Sequence, residues 1–297
     1  IKSLLRLPFA VLEAWKIIKG FQPDLVFGVG GYVTGPVLLA ARLRSVPTCI
    51  HEQNSISGLA NRMTSSFVSR IFVSIPGEYP FPEQKTVVAG NPVRQEILAA
   101  AERKQQERDD RTAGRSLTLL IMGGSLGAHR INMLMLDVAA QLDAEQKKAI
   151  RLIHQTGTAD EEKVRDGYAA VGVRAEVRAF FTDMASLYTQ ADLVLARAGA
   201  TSLAEVSVMG LPAVLIPYPY AADDHQARNA EYYVGKGGAV MYREVDLDAE
   251  KLTKILVQLL GDIDKLQQMA YSMKKMGRPD ATRRILENCM DFVDNMG

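Results

Sequence analysis

Residues Leu117–Ala128 read LTLLIMGGSLGA. A short continuous apolar run ends in a pair of glycines, and an amphipathic stretch follows. The same phrase of apolar run, glycine or polar turn and amphipathic stretch recurs nearly to the C-terminus. Asp24–Phe27 (DLVF), Pro47–Ile50 (PTCI), Arg70–Val73 (RIFV) and Thr86–Val88 (TVV) read as one set of buried strands. Leu117–Met122 (LTLLIM), Arg151–His154 (RLIH), Ala175–Arg178 (AEVR), Asp192–Ala196 (DLVLA), Ala213–Pro217 (AVLIP) and Gly238–Met241 (GAVM) read as a second. Continuous apolar strands separated by helical stretches indicate parallel sheets covered on both faces. The fold class is therefore α/β and doubly wound.

A chain of 297 residues has room for about two domains. Its hydrophobic fraction of 47% and charged fraction of 23% exclude a disordered tail, a collagen-like fibre and a disulfide-knotted miniprotein. Lys and Arg total 35 against 34 Asp and Glu. That balance gives no global reason to expect a nucleic-acid partner, although a local basic patch stays open. Cys49 and Cys289 show no C-x-x-C spacing and read as reduced structural thiols. No run approaches ~18 uninterrupted apolar residues, and no signal-peptide layout is present. Composition shifts at Glu102–Arg115 (ERKQQERDDRTAGR), whose charges nearly cancel. This stretch reads as a solvated helix end plus connector, with the domain hinge between Asn91 and Gly114. A C-terminal helix is expected over Asp280–Asp294, after the break at Gly277–Pro279.

Three turns join a buried strand to a helix through small residues: Gly28–Gly35 (GVGGYVTG), Gly123–Ala128 (GGSLGA) and Arg197–Glu205 (RAGATSLAE). Glycine lets backbone amides approach a ligand, and the helix start that follows points N–H groups outward. Such turns at the carboxyl ends of strands suit phosphate, and three of them favour a phosphorylated ligand in an interdomain cleft. A nicotinamide fingerprint fits poorly, because GGSLGA only approximates G-x-G-x-x-G and the next strand, RLIHQ, ends in no acid. Glu205 is placed for sugar contact, since a carboxylate can accept bonds from both hydroxyls of a ribose. A helix N-terminal acid that only complements the dipole is the competing reading.

His51–Asn54 (HEQN) stands at a strand end and is expected in a surface turn or a cleft. In Gly90–Arg94 (GNPVR), Pro92 is expected to start a helix, with Arg94 in its first turn and able to reach a pyrophosphate. Asp223–Ala230 (DDHQARNA) places Gln226 and Asn229, two neutral amides that suit sugar hydroxyls. His225 beside them reads as a surface or capping histidine before it reads as a base. The four histidines show no paired ligand spacing, no D-x-D stands at a strand end, and no G-x-S-x-G elbow occurs. No metal site and no cofactor are expected.

Near the N-terminus, Leu5, Phe9, Leu12 and Trp15 form one helical stripe flanked by Lys2, Arg6, Lys16 and Lys19 against only Glu13. By pattern alone a helix packed on a sheet is the stronger reading. An interfacial helix facing an anionic membrane is the other. Pro8 implies that the helix begins near it or is kinked there.

Taken in order, GVGGYVTGP, HEQN, GNPVR, GGSLGA, the FFTDM segment at Phe180–Met184, RAGATSLAE and DDHQARNA resemble a known family. It is the bacterial UDP-N-acetylglucosamine:N-acetylmuramyl-(pentapeptide) pyrophosphoryl-undecaprenol N-acetylglucosamine transferases, which convert lipid I to lipid II in peptidoglycan synthesis. The resemblance implies the GT-B architecture, two Rossmann-like domains facing across a cleft. It implies an acceptor and membrane-associating domain over residues 1–93, joined by the helix 280–297, and a donor domain over 94–279. Matched by position, Ser125 and Arg94 would contact the donor's phosphate region. Ala200, Thr201, Ser202, Leu203, Ala204 and Glu205 would hold diphosphate and ribose. Phe181 stands where the family reads uracil through backbone groups, Gln226 would bind N-acetylglucosamine, and Asn54 would lie near donor and acceptor. Leu5, Phe9, Leu12 and Trp15 fall on the family's membrane patch, which reverses the pattern-only preference. Implied partners are UDP-N-acetylglucosamine, an undecaprenyl-linked acceptor and the anionic cytoplasmic face of the bacterial cell membrane.

The chain departs from that pattern in two places. His225–Gln226 stands where some members have two glutamines. The family's loop G-G-T-G-G-H, with the histidine usually proposed as general base, is absent along with the first βα units. The expectation is an incomplete acceptor domain with an apolar edge at DLVF, poor solubility, weak UDP binding and no turnover by these 297 residues alone. The catalytic base is unassigned. The competing readings are another GT-B glycosyltransferase acting on a glycolipid, a UDP-sugar 2-epimerase, and a non-catalytic nucleotide-sugar binder.

Overall fold

The computed structural model describes residues 7–106, 116–124 and 128–294, apart from the side chains of 7, 105 and 106. The chain forms two compact units, Ile1–Pro92 with Arg278–Gly297, and Val93–Gly277. The first contains α1 (Leu7–Phe21), β1 (Val26–Gly28), α2 (Thr34–Leu43), β2 (Thr48–Glu52), α3 (Leu59–Thr64), β3 (Arg70–Val73) and β4 (Thr86–Val88). The second opens with α4 (Gln95–Gln106), β5 (Leu117–Met122), α5 (His129–Gln141), α6 (Ala144–Ala149), β6 (Ile150–Gln155), α7 (Glu161–Ala170) and β7 (Ala175–Arg178). It continues through α8 (Met184–Gln190), β8 (Leu193–Ala196), α9 (Ala200–Val208), β9 (Ala213–Leu215), α10 (His225–Gly235), β10 (Ala239–Met241), α11 (Ala249–Gly261) and α12 (Ile263–Met276). The chain then returns to the first unit as α13 (Ala281–Asp294).

The first sheet runs β1-β2-β3-β4, every pairing parallel. Successive side chains of a strand point to opposite faces, and its two cores follow that alternation. Ile50, Ile71 and Val73 pack with Leu38 of α2 on one face. Cys49 and Phe72 pack with Ile285 and Cys289 of α13 on the other. The returning helix thus supplies the cover that the apolar strands require on their second face. α1 lies on α2 through Val11, Ala14, Trp15 and Ile18 against Ala40 and Ala41. At the end of β1, a side chain on Gly28 would bring its Cβ to 2.5 Å from Cγ2 of Thr34, so only glycine lets α2 start there.

The second sheet is also parallel, in the order β10-β9-β8-β5-β6-β7. From β5 the chain winds outward through β6 and β7, then crosses back to lay β8, β9 and β10 on the other side. The reversal places a topological switch point between β5 and β8, where an open α/β sheet forms its ligand crevice. Its main core joins Leu119 and Ile121 of β5 to Leu193 and Leu195 of β8, Val214 of β9, and residues of α5, α7, α11 and α12.

Several local expectations need correction. His51 and Glu52 of HEQN lie inside β2 and are buried, not in a surface turn. They are tolerated there because both side chains are hydrogen-bonded: His51 Nε2 bonds the Gly90 carbonyl and the Ser74 hydroxyl. Glu52 accepts from the Asn54 and Gly58 amides and from Asn61 Nδ2. Burial holds the His51 pKa below its ordinary value, so the ring stays neutral. Arg94 precedes α4 instead of standing in its first turn; its carbonyl receives the Ile97 and Leu98 amides. The N-terminal stripe divides. Phe9 and Leu12 are exposed, but Trp15 turns into the seam with α2, beneath the Arg44 guanidinium. Leu5 lies outside the described residues.

Candidate nucleotide-sugar site

Both turns at the switch point lead into helices without side-chain caps. After β5, Gly124 takes φ +93°, a backbone region that favours glycine, and α5 begins behind Ala128. After β8, α9 begins behind Gly199. The amides of a first helical turn have no partner within the helix, and the dipole's positive end lies with them. The exposed Thr201 and the half-buried Ala200 and Ser202 sit in that first turn, placed for an anionic ligand. Leu203 and Ala204 do not extend this surface: both side chains are buried, and the Leu203 amide donates to the Gly199 carbonyl. Ser125, the other expected phosphate ligand, lies outside the described residues.

Glu205, one turn further along α9, is buried and held from two sides. Arg94 Nε donates to Oε1 at 3.0 Å, and the Tyr188 hydroxyl donates to Oε2 at 2.9 Å. Burial and the neighbouring carboxylate push Tyr188 well above the usual phenol range, so it remains a donor. Burial disfavours the Arg94 cation, but Glu205 outweighs it and raises the pKa. The Arg94 side chain is 46% exposed, and among the described residues only its Nε bonds a protein group. Sequence reasoning found both charged members of this group but missed Tyr188, which reads in α8 as one more core aromatic.

Gln226, in the first turn of α10, accepts the Ala198 amide at 3.2 Å and the Tyr218 amide at 3.0 Å on one oxygen. Two N–H donors can face only the amide oxygen, so Nε2 is fixed as an outward donor. Asn229 does not join it: it is fully buried and donates to the Ala198 carbonyl. Arg197 is committed to the Ile216 and Pro217 carbonyls and to Glu244. His225 bonds the Ala222 carbonyl, a capping role. Phe181 is buried, and its amide donates to Gln155 Oε1, while Gln155 Nε2 reaches the Gly124 carbonyl. Gln155, also missed in sequence, thereby ties the Phe181 loop to the glycine turn after β5.

Beneath that turn runs a buried polar chain. The Tyr168 hydroxyl bonds His154 Nδ1, His154 Nε2 bonds Asn132 Oδ1, and Asn132 Nδ2 bonds Asp160, which also holds His129. Burial lowers His154 to about 3. Burial alone would raise Asp160, but the bonds from Asn132 and His129 hold its carboxyl below the ordinary range. In the other unit, Asn54 is half-buried; its amide is held by Glu52 and its carbonyl by the Tyr79 hydroxyl. Among the described residues, no group of three or more His, Cys, Asp or Glu side chains could hold a metal ion.

Two parallel Rossmann-like units, the second carrying uncapped helix starts at its switch point, are the architecture of GT-B glycosyltransferases. Residues 118–285 match the glycosyltransferase family 28 C-terminal domain and residues 1–73 its N-terminal domain. The chain belongs to glycosyltransferase family 28. It is 42% identical over 295 residues to the UDP-N-acetylglucosamine–N-acetylmuramyl-(pentapeptide) pyrophosphoryl-undecaprenol N-acetylglucosamine transferase of Desulfotalea psychrophila, covering 99% of this chain and 78% of that protein. The enzyme of the same description from Nitratidesulfovibrio vulgaris is 44% identical over 285 residues, 95% of this chain and 76% of that one. Acinetobacter baumannii MurG superposes with a TM-score of 0.81 at 32% identity, over 96% of this chain and 80% of that one. The UDP-GlcNAc 2-epimerase of Neisseria meningitidis matches with a TM-score of 0.65 over 96% of this chain and 81% of that one. Its 14% identity supports a shared fold alone.

Proposed function

We propose that this chain is an inverting hexosyltransferase that moves N-acetylglucosamine from UDP-N-acetylglucosamine to the muramyl 4-hydroxyl of undecaprenyl-pyrophosphoryl-MurNAc-pentapeptide. The product is lipid II for peptidoglycan synthesis. The observation that carries the donor assignment is the α9 start, where open amides adjoin Glu205 paired to Arg94. In this reading Val93–Gly277 is the donor unit and the other unit takes the acceptor. The carboxylate of Glu205 receives the ribose hydroxyls, and the amides of Ala200–Ser202 receive the diphosphate. The fixed N–H donor of Gln226 takes a sugar oxygen. As the acceptor hydroxyl displaces UDP, negative charge grows on the diphosphate, and the α9 amides with the outer edge of Arg94 stabilise it where it develops. Ser125, Phe181 and Asn54 complete the proposed donor contacts.

The exposed face of α1 fits an anionic membrane surface at the cytoplasmic side. Phe9 (75% exposed), Leu12 (61%), Lys16 and Lys19 share one outward sector of the helix, the apolar-and-cationic combination of an interfacial helix. Among the described residues no helix is long and apolar enough to cross a membrane.

Transfer of labelled N-acetylglucosamine to lipid I in vesicles tests the function. Labelled lipid II is the expected product. A diacylglycerol acceptor that works equally well, or epimerised UDP-sugar in place of transfer, overturns the assignment.

A further inference from the structure

Glu205 sits in an unusual setting for a ligand-binding carboxylate. It is 7% exposed, and each oxygen already accepts one bond from the protein, from elements distant in sequence. A carboxylate oxygen has two acceptor directions, so one on each oxygen remains for a neighbouring pair of hydroxyls. The angle at which the carboxylate meets them is set by whatever holds its inner side.

On that side stands Tyr188. It is 1% exposed and its hydroxyl has one described partner, Glu205 Oε2. Its own place is secured from α4. Lys104 Nζ donates to the carbonyls of Tyr188 at 2.9 Å and Ala191 at 3.1 Å, closing the C-terminal end of α8. A cation at a helix C-terminus is favourable twice over, through the bonds and through the dipole. A chain of fixed contacts therefore runs from Lys104 through α8 and the Tyr188 hydroxyl to Glu205.

We propose that Tyr188, anchored through Lys104, is the positioning residue that aims Glu205 at the ribose hydroxyls, and so sets selection of ribonucleotide over 2′-deoxyribonucleotide donors. Tyr188 does not touch the donor. The inference rests on the reading of Glu205 as the ribose ligand. Arg94 cannot replace Tyr188 in this task, because it holds the opposite oxygen and is half exposed.

The test compares the binding of UDP and 2′-deoxyuridine diphosphate by calorimetry, using the full chain and its variants. The native chain prefers UDP. Glu205→Ala abolishes that preference. Tyr188→Phe keeps the ring and loses about tenfold in UDP affinity, as expected when the unaimed Glu205 carboxylate forfeits one charged bond to a ribose hydroxyl. Its 2′-deoxyuridine diphosphate affinity changes less than about twofold, a selective loss that missing packing alone does not produce. Lys104→Met, remote from the ligand, lowers the preference by about twofold to threefold and serves if the Phe variant does not melt cooperatively. If Glu205→Ala keeps the native preference, the ribose reading fails. If Glu205→Ala loses it while Tyr188→Phe or Lys104→Met retains it in full, the positioning role is overturned and the ribose reading stands.

Discussion

Cys49 of β2 and Cys289 of α13 come from opposite ends of the chain and pack in one buried cluster with Phe72, Ala89 and Ile285. Both are buried and free. The neighbouring Cys289 thiol and burial push the Cys49 thiol up. Sequence spacing shows two remote thiols; the fold makes them one contact, because the returning helix covers the face on which Cys49 stands.

The pair supplies a test of that cover. Both thiols are expected to escape a bulky disulfide reagent in the native protein and to react together once denaturant unfolds the first unit. Cys289→Ser, which places a hydroxyl in an apolar seam, should cost about 1–2 kcal/mol in urea unfolding. Rapid labelling of either thiol in buffer contradicts the packing.

The buried His154 makes the second unit sensitive to acid. Its folded pKa of about 3 lies below the ordinary 6.5, so the unfolded state binds the extra proton first. The stability from neutral His154 is whole above about pH 6.5 and is lost progressively as pH falls towards about 3, at no more than about 1.4 kcal/mol per unit. Asp160, held below its ordinary value, adds a loss of the same sign at the acid end. Urea midpoints measured from pH 7 to 4 should fall, and His154→Gln should be weaker at pH 7 with a flatter slope.

Gln226→Glu separates the two ends of one amide. The carboxylate keeps an acceptor for the Ala198 and Tyr218 amides but removes the outward donor. The expected result is an unchanged melting temperature and a KM for UDP-N-acetylglucosamine raised by about tenfold to a hundredfold. A native KM removes Gln226 from the sugar site.

On α1, Phe9→Asp and Leu12→Asp should each weaken binding to vesicles rich in anionic phospholipid, at a cost of about 1–3 kcal/mol. Lys16→Glu and Lys19→Glu should reduce the salt-sensitive part by about 1 kcal/mol each. Trp15→Ala should lower the melting temperature instead, because Trp15 packs on α2. Cosedimentation read alongside thermal unfolding distinguishes the two groups; equal vesicle loss with Trp15→Ala places Trp15 at the membrane after all.

Each strand of the described residues overlaps a segment read from the sequence, and the clearest are β2, β5 and β8, because an apolar run buried on both faces is recognised without its partner. The glycine turns and the start of α9 were legible for the same reason: a backbone near φ +90° or an uncapped helix start is a local property. HEQN was misread because local reasoning treats consecutive polar residues as exposed. His51 and Glu52 are buried because Gly90, Ser74, Gly58 and Asn61 come to meet them. Trp15 packs partly on α2, which period alone does not reveal, because it does not say which side of a helix its neighbour takes.

The sequence by itself determined the alternation of strand and helix, the phosphate-suited turns and the chemical types at the site. Each is written in residues adjacent along the chain. Tertiary structure decided the pairings: the switch point between β5 and β8, the two-sided grip on Glu205, the fixed direction of the Gln226 amide and the meeting of Cys49 with Cys289. Those depend on which distant elements share a sheet face or a helix seam. That is settled by the joint burial of many apolar side chains, and no single segment carries it.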